Sequence, residues 1–260
     1  GIKDRVYEEE FAVTNLMAWS PDSEYLAFVR FDESEVPEYS MQMYGEGLYP
    51  GYYEYKYPKA GQKNSKVSVH SYSVVTKDTK EMKVPVEGDF YIPRITFTQN
   101  PDQLAIMTLN RQQNVFNMYY ANPKSGVFRL ILREENKCYV DSDWLTSIQF
   151  LNNGFTYVSE QDGYSHIYLY SPTGVMQRQV TQGNWDVTAF LGVDENTKTF
   201  YYESAEESPI RRSIYKIDAK GVKTKLSTEE GMNKAVFSDN FAYFVNTLSL
   251  IHISEPTRHA

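Results

Sequence analysis

The sequence contains little cysteine, little histidine and no long hydrophobic run. Its single cysteine, Cys138, cannot form a disulfide bond within the chain, and we expect it to be inert. No Cys and His spacing is typical of a zinc site, so we expect neither a metal nor a cofactor. No stretch of about 18 apolar residues occurs, and none is expected to span a membrane. The net charge is −8 without a basic cluster, which disfavours nucleic acid as a partner.

Catalytic motifs are equally scarce. The Gly-x-Ser-x-Gly turn of hydrolases and the glycine-rich loops that hold phosphate do not occur. Ser165 and His166 are adjacent, but neighbouring strand residues point to opposite faces of a sheet and cannot form a nucleophile–base pair. We expect His70 to be packed or on the surface, and Asp141 and Asp143 to form a turn rather than a calcium loop. No catalytic triad is therefore expected within the chain.

Aromatic residues, in contrast, are abundant. The 260 residues include 22 Tyr, 14 Phe and 3 Trp, which is enough for a substantial folded core. A chain of this length could form two average domains or one large all-β domain. Helical periodicity is absent, and so are the amphipathic helices that a βαβ pattern requires. The composition and pattern together favour an all-β fold.

One phrase recurs along the chain: an apolar strand, a turn rich in Asp, Asn or Pro, and a second apolar strand. Its five copies cover residues 17–29, 95–106, 148–157, 190–202 and 235–243. Further hairpins are predicted between these copies, at residues 115–130, 167–178 and 213–222. Two hairpins in each repeat give units of four strands.

The spacing of the repeats indicates their architecture. The five copies are anchored by Trp19, Phe97, Phe150, Leu191 and Phe237, at intervals of 78, 53, 41 and 46 residues. All but the first interval approach the period of four-stranded propeller blades, roughly 40 to 50 residues. We therefore predict a partial β-propeller over residues 1–249, with about five blade-like four-stranded units. A large β-sandwich, which needs no fixed period, is the main alternative.

The first interval is long because the first unit carries an insertion, residues 39–61. This insertion contains seven Tyr, together with Gly and Pro residues that interrupt regular structure. Tyrosine combines a large apolar area with a polar tip and is enriched in interfaces. The insertion is therefore either an arm that forms an interface or a segment folded against its own propeller. The residues assigned to the arm are Tyr44, Tyr49, Tyr52, Tyr53, Tyr55 and Tyr57.

We interpret both ends of the chain as cut. The sequence starts at Gly1 without a signal-like segment, so any targeting information is expected upstream or removed. Residues 250–260 fit none of the repeats and are interpreted as a cloning-derived tail, outside the fold prediction.

Three consecutive acids, Glu8, Glu9 and Glu10, lie between Tyr7 and Phe11 just before the first repeat. Neighbouring carboxylates repel one another, and desolvating them is costly unless a cation compensates their charge. The cluster is therefore either an exposed turn that favours solubility or a receptor for an ammonium group. Composition alone does not decide between the two.

Several stretches resemble the propeller of the dipeptidyl peptidase IV family, in the prolyl oligopeptidase superfamily of serine peptidases. They are residues 6–11 (VYEEEF), 19–21 (WSP), 26–27 (LA), 35–40 (EVPEYS), 57–61 (YPKAG), 163–164 (GY), 166–167 (HI) and 181–185 (TQGNW). The resemblance covers about residues 4–249. It implies an eight-bladed propeller beside an α/β-hydrolase domain, in an enzyme that removes dipeptides from free N-termini, preferably after Pro or Ala.

The resemblance also implies roles for individual residues. Glu9 and Glu10 would bind the α-ammonium group of the substrate, with Glu8 as a supporting neighbour. An α-amino group is largely protonated at neutral pH and offers three donors, which two carboxylates can share through charge-assisted hydrogen bonds. An amine fixed two residues from the scissile bond would explain dipeptide release and the rejection of N-acylated chains.

The predicted function is thus the substrate-gating propeller region of a dipeptidyl peptidase IV-like serine exopeptidase, without its own catalytic triad. Its expected partners are peptide N-termini, a hydrolase domain that this chain lacks and a second copy bound through the arm. The resemblance also implies an exported, periplasmic or cell-envelope location. One alternative is a non-catalytic protein-binding propeller that uses the arm. A propeller glycosidase is another, although three consecutive acids suit its separated acid pair poorly.

Overall fold

The computed structural model describes residues 6–250 and 253–255. The chain divides into two compact units, Gly1–Asp143 and Trp144–Ala260. Regular structure in the described part is almost entirely β. The exceptions are one turn of π-helix, Val6–Glu10, and a short 3-10 helix, Ser142–Ser147. No helix in the described ranges is long and apolar enough to cross a membrane.

The first unit contains two four-stranded antiparallel sheets and one separate hairpin. The first sheet, in spatial order, consists of β1 (Met17–Trp19), β2 (Tyr25–Asp32), β5 (Lys66–Ser73) and β6 (Thr79–Met82). The separate hairpin, β3 (Glu38–Met43) and β4 (Gly51–Lys56), lies between β2 and β5 in the chain. The second sheet consists of β7 (Phe90–Phe97), β8 (Leu104–Asn110), β9 (Val115–Ala121) and β10 (Phe128–Glu135).

The second unit contains two more four-stranded sheets and a three-stranded sheet. The first is formed by β11 (Gln149–Leu151), β12 (Gly154–Ser159), β13 (His166–Tyr170) and β14 (Met176–Gln179). The next is formed by β15 (Val187–Asp194), β16 (Thr199–Ser204), β17 (Ser213–Ile217) and β18 (Lys223–Lys225). The last is formed by β19 (Met232–Phe237), β20 (Phe244–Leu250) and β21 (Ile253–Glu255).

The predicted hairpins are confirmed. The five repeats form the antiparallel pairs β1–β2, β7–β8, β11–β12, β15–β16 and β19–β20. The hairpins predicted between them are β9–β10, β13–β14 and β17–β18. The all-β prediction and the prediction of about five blade-like units are therefore confirmed.

The burial of each strand explains its composition. All residues of β12 and β16, and all but the last of β8, are buried, because these strands lie in the middle of their sheets and are covered on both faces. These strands are accordingly rich in aliphatic and aromatic residues, as in LAIMTLN of β8 and TFYYES of β16. The edge strand β18, in contrast, is exposed throughout and has the sequence KTK. Charged residues on an edge strand oppose unwanted pairing with other chains.

Three repeats close their turns in the same way, with a hydroxyl residue followed two positions later by Asp or Asn. The pairs are Ser20/Asp22, Thr98/Asn100 and Ser238/Asn240. In the first, the Ser20 hydroxyl donates to Asp22 and accepts the backbone N–H of Tyr25 at 2.9 Å. Short polar side chains that bond to nearby backbone favour turns over strands, which is why the repeat was visible in the sequence.

The segment interpreted as a tail is partly described. Ile253–Glu255 pairs antiparallel with residues 248–250 as the third strand of the last sheet. Residues 251–252 and 256–260 lie outside the described part of the chain. A cloning origin for residues 250–260 stays a prediction.

Candidate functional site

The three acids lie on the single wide turn of π-helix, Val6–Glu10. The N–H of Phe11 donates to the carbonyl of Val6 at 3.0 Å, and the N–H of Val13 donates to the carbonyl of Tyr7 at 2.7 Å. Ala12 then adopts a φ of 51°, in the left-handed region. Turns of π-helix are rare and occur frequently at functional sites.

Tyr7 fixes this turn to the first unit. Its side chain is 1% exposed, and its hydroxyl accepts the backbone N–H of Ile92 at 2.9 Å. The ring meets Phe11, Phe31 and Tyr91 edge to face, at centroid distances of 5.6, 4.7 and 6.0 Å. Each such aromatic pair contributes about 0.5–1.5 kcal/mol beyond the burial of its area. The base of the acidic turn is therefore held by an aromatic cluster and a buried hydrogen bond.

Glu8, Glu9 and Glu10 themselves are exposed to solvent. Within residues 6–250 and 253–255, no ion pair involves Glu8 or Glu10. The Nε2 group of Gln113 donates a hydrogen bond to Glu10 Oε2 at 2.9 Å. The pKa of the Tyr55 phenol is raised, chiefly by desolvation, with a smaller contribution from the charge of Glu9. The acids thus form a negatively charged, solvent-accessible surface near the base of the arm.

Sequence analysis did not identify Gln113, which is 103 residues from Glu10. It lies in the turn between β8 and β9, two strongly buried strands. The available signal was the polar run NRQQN at residues 110–114. That run predicts a turn, but it does not indicate what the turn faces.

The segment at residues 57–61, which contributed to the family resemblance, leads into a loop tied to the same aromatic cluster. The Nδ2 group of Asn64 donates to the hydroxyl of Tyr91 at 2.6 Å. The Arg111 guanidinium donates to the carbonyl of Gln62 and forms an ion pair with Asp89 at 2.8 Å. The loop is therefore fixed beside the sheet that carries Gln113.

The predicted arm forms the hairpin β3–β4, which pairs with no other strand in the described part of the chain. At its base, the rings of Tyr39, Tyr55 and Tyr57 contact one another at centroid distances of 5.5–5.9 Å. At its tip, Tyr44 and Tyr49 are 81% and 87% exposed. Tyr52 and Tyr53 are also exposed. The arm thus has an ordered aromatic base and a solvent-exposed tip.

Ser165 and His166 have separate structural roles. The buried imidazole of His166 bonds through Nδ1 to the Thr181 hydroxyl at 3.0 Å and through Nε2 to the Gly183 carbonyl at 2.9 Å. The Ser165 hydroxyl donates instead to Glu160 at 3.2 Å. The two side chains therefore bond to different partners and not to each other.

The remaining candidates also have structural environments. His70 stacks on Phe28 at 5.4 Å, as expected for a packed histidine. Asp141 accepts the backbone N–H of Asp143 at 2.9 Å, which is the predicted turn. Cys138 is exposed. Among the described residues, no group of three or more His, Cys, Asp or Glu side chains is placed to hold a metal ion.

Two cavities occur within the second unit. One has a volume of about 210 Å³ and includes Leu169, Arg178 and Phe200 in its lining. The other has a volume of about 560 Å³ and includes Ile210 and Met232. Neither is lined by the acidic turn.

Comparison with known proteins gives one consistent result. The family model described as "Dipeptidyl peptidase IV (DPP IV) N-terminal region" matches residues 1–254. The chain is 32% identical over 270 residues to dipeptidyl peptidase 4 of Arthroderma otae, covering 94% of the chain and 34% of that protein. It is 30% identical over 267 residues to dipeptidyl peptidase 4 of Trichophyton rubrum, with the same coverage of 94% and 34%.

The crystal structure of Porphyromonas gingivalis dipeptidyl peptidase 4 is 61% identical to the chain, with a TM-score of 0.91. The match covers 96% of the chain and 35% of that structure. The chain therefore spans about a third of the length of these relatives.

Proposed function

The chain belongs to the dipeptidyl peptidase IV N-terminal region family, and from this membership we propose that it is the substrate-gating propeller region of a serine exopeptidase. The enzyme would release X-Pro and X-Ala dipeptides from peptides with a free N-terminus. Catalysis would come from an α/β-hydrolase domain outside this chain. The observation that best supports the proposal is the exposed acidic turn on its buried Tyr7 base.

In the proposed mechanism, Glu9 and Glu10 bind the α-ammonium group of the substrate. Each hydrogen bond between charged partners contributes about 1.5–3 kcal/mol. Glu8 adds to the negative potential of the turn without a direct bond to the substrate. Because the turn is fixed at its base by Tyr7, the carboxylates would meet the ammonium without a large ordering cost.

By binding the amine, the acids determine how far into the enzyme the substrate reaches. A substrate held by its amine presents the peptide bond after its second residue at a constant distance from the turn. An N-acylated peptide has no ammonium group, so its binding would leave the carboxylates without a compensating charge. This mechanism selects dipeptide release over cleavage at internal positions.

In the isolated chain, the solvent exposure of the acids limits how strongly they can bind an ammonium group. Two unit charges 4 Å apart interact by about 1 kcal/mol in water and by about 4 kcal/mol near a protein surface. We therefore expect the chain to bind a free-amine peptide with a Kd on the order of 1 mM or weaker. Closer enclosure of the acids in the complete enzyme would strengthen the contact.

The binding test uses the 260-residue chain and a short peptide that begins with Ala-Pro. We expect the free-amine peptide to shift the amide resonances of the acidic turn in NMR spectra, and the N-acetylated peptide to leave them unchanged. Glu9→Gln or Glu10→Gln should weaken binding at least tenfold. Glu46→Gln, on the exposed tip of the arm, is the matched control for lost charge. Equal binding of the two peptides would refute the proposal.

In the complete enzyme, Glu9→Ala or Glu10→Ala should abolish most cleavage of Gly-Pro and Ala-Pro substrates while folding is preserved. Undiminished turnover would remove the assignment of these acids as the amine anchor.

We further propose that the arm forms a homodimer contact through Tyr44, Tyr49, Tyr52, Tyr53, Tyr55 and Tyr57. The exposed tip supports this role, since Tyr49 and Tyr52 are 87% and 68% exposed within their own chain. The double substitution Tyr49→Ser and Tyr52→Ser should shift the protein from dimer to monomer in sedimentation velocity and leave its far-UV circular dichroism spectrum unchanged. An unaltered oligomeric state would exclude the arm. An exported, periplasmic or cell-envelope location completes the proposal.

The alternative is a non-catalytic binding propeller that uses the same arm. It shares the exposed hairpin but gives the acidic turn no role. The two functions are distinguished by the coding sequence downstream of this chain: a Gly-x-Ser-x-Gly turn supports the peptidase, and its absence supports the binding protein.

A further inference from the structure

We propose that Gln113 is a positioning residue for Glu10. Its side-chain amide donates to Glu10 Oε2 and holds the carboxylate with its second oxygen available to the substrate ammonium. This inference rests on the proposed function of Glu10 as part of the amine anchor. It adds a residue that does not contact the substrate and acts through Glu10.

The neutral charge of Gln113 is central to this role. A carboxylate in a binding site is commonly oriented by a hydrogen bond from a second residue. A lysine or arginine could supply that bond, but its charge would compensate the carboxylate and compete with the ammonium group. An amide orients the carboxylate and leaves its negative charge in place.

The backbone around Gln113 is fixed on both sides. Gln113 has a φ of 55°, in the left-handed region that residues other than glycine seldom adopt. Its N–H donates to the carbonyl of Asn110 at 2.9 Å, and its carbonyl accepts the N–H of Val140 at 2.8 Å. The Asn110 side chain accepts the N–H groups of Asn114 and Val115, both at 3.0 Å. An uncommon conformation held by this many bonds fixes the backbone of the turn and the point from which the Gln113 side chain leaves it.

The acceptor is equally well held. Glu10 directly precedes Phe11, whose ring is buried and meets Tyr7 at 5.6 Å and Tyr91 at 5.5 Å. The hydrogen bond from Gln113 therefore joins two fixed parts of the first unit. A hydrogen bond between two fixed turns can therefore set the orientation of the Glu10 carboxylate.

Two variants separate positioning from a purely structural role. Gln113→Asn keeps the amide and tolerates the left-handed conformation, but it is one methylene too short to reach Glu10. Gln113→Lys keeps the reach and replaces the amide with a cation. Lysine occurs in this conformation twice in the same protein, at Lys77 and Lys198. Gln112→Asn, in the same turn, is the matched control.

All variants are made in the 260-residue chain and titrated by NMR with the free-amine and N-acetylated Ala-Pro peptides. We expect Gln113→Asn to weaken binding of the free-amine peptide by about 2- to 10-fold. Gln113→Lys should weaken it more than tenfold while the unfolding temperature stays the same or rises, because the lysine forms an ion pair with Glu10. Gln112→Asn should stay within twofold of the unmodified chain.

The outcomes distinguish this inference from the function on which it rests. If the chain selects the free-amine peptide and Glu10→Gln loses that selectivity, but both Gln113 variants bind normally, the positioning role is wrong and the amine anchor stands. If the unmodified chain does not select the free amine, both proposals are wrong. If Gln113→Asn does not fold, Gln113→Lys decides, since a purely structural role predicts that its ion pair preserves binding.

Discussion

A substitution at Gly183 would test whether the TQGNW segment at residues 181–185 is held in place by packing. Gly183 has a φ of 140°, and its carbonyl accepts a hydrogen bond from His166. A Cβ atom at this position would overlap Nε1 of Trp185 and lie 2.7 Å from Cδ1. The Trp185 ring cannot move freely, because it packs edge-on against His166 at 5.0 Å and stacks on Tyr202 at 6.2 Å. Gly183→Ala should therefore displace the indole or break the turn.

The magnitude has two parts. An alanine in this backbone region costs about 1–3 kcal/mol in conformational strain. Forcing an extra carbon into a packed site costs about another 1–3 kcal/mol. Gly163→Ala supplies the matched control, because Gly163 has a φ of 100° but nothing lies within 4 Å of its added Cβ. We expect Gly183→Ala to lower the free energy of unfolding by about 2–6 kcal/mol and Gly163→Ala by about 1–3 kcal/mol.

Urea unfolding measures both effects. In a Trp19→Phe background, indole fluorescence comes only from Trp144 and Trp185, and so reports on the second unit. The difference between the two glycine variants isolates the contribution of the steric overlap. If Gly183→Ala is no more destabilising than Gly163→Ala, the indole does not constrain this position and the reasoning is wrong.

Three further predictions follow from the same structure. Tyr7→Phe leaves a buried backbone N–H without its acceptor and should lower the free energy of unfolding by about 1–3 kcal/mol in urea; an unchanged midpoint would exclude that hydrogen bond. Burial raises the pKa of Tyr120 and of Tyr168 to about 12, against 10.0 for a free phenol. The stability that these neutral phenols contribute is complete below about pH 10 and is lost as the pH rises towards about 12, so the thermal midpoint should fall across that interval; a constant midpoint would contradict it. Arg111→Ala releases the loop bound to its guanidinium and should accelerate tryptic cleavage after Lys59, with equal cleavage rates counting against the contact.

The hairpins could be predicted from the sequence because both of their strands and their turn are contiguous. The alternation of apolar and polar residues sets the strands, and residues such as Ser20 and Asp22 set the turn through local hydrogen bonds. The burial of individual side chains was harder to predict from the sequence. Trp19 and Phe97 occupy equivalent places in the repeat, yet Trp19 is 57% exposed and Phe97 is buried. The repeat in the sequence records where a residue lies in its hairpin. Its burial depends on what packs against that strand, which the repeat does not record.

The acidic turn was found as a sequence feature, but the means by which it is held was not. Tyr7 bonds to Ile92, 85 positions away, and Glu10 bonds to Gln113, 103 positions away. Contacts over such distances depend on how two sheets pack, and no local pattern records them. The wide π-helical geometry of the turn was also unpredicted, since a run of glutamates is compatible with several helical conformations.

The arm separates strands that must pair. Strand β2 ends at Asp32 and its partner β5 begins at Lys66, so the arm and its flanking loops all lie between them. Closing a segment of roughly thirty residues costs about 2 kcal/mol more entropy than closing a four-residue turn. Other neighbouring strands in the sheets meet across short connections. During refolding we therefore expect the sheet nearest the N-terminus to form after those that follow it, and a shortened arm to speed that step.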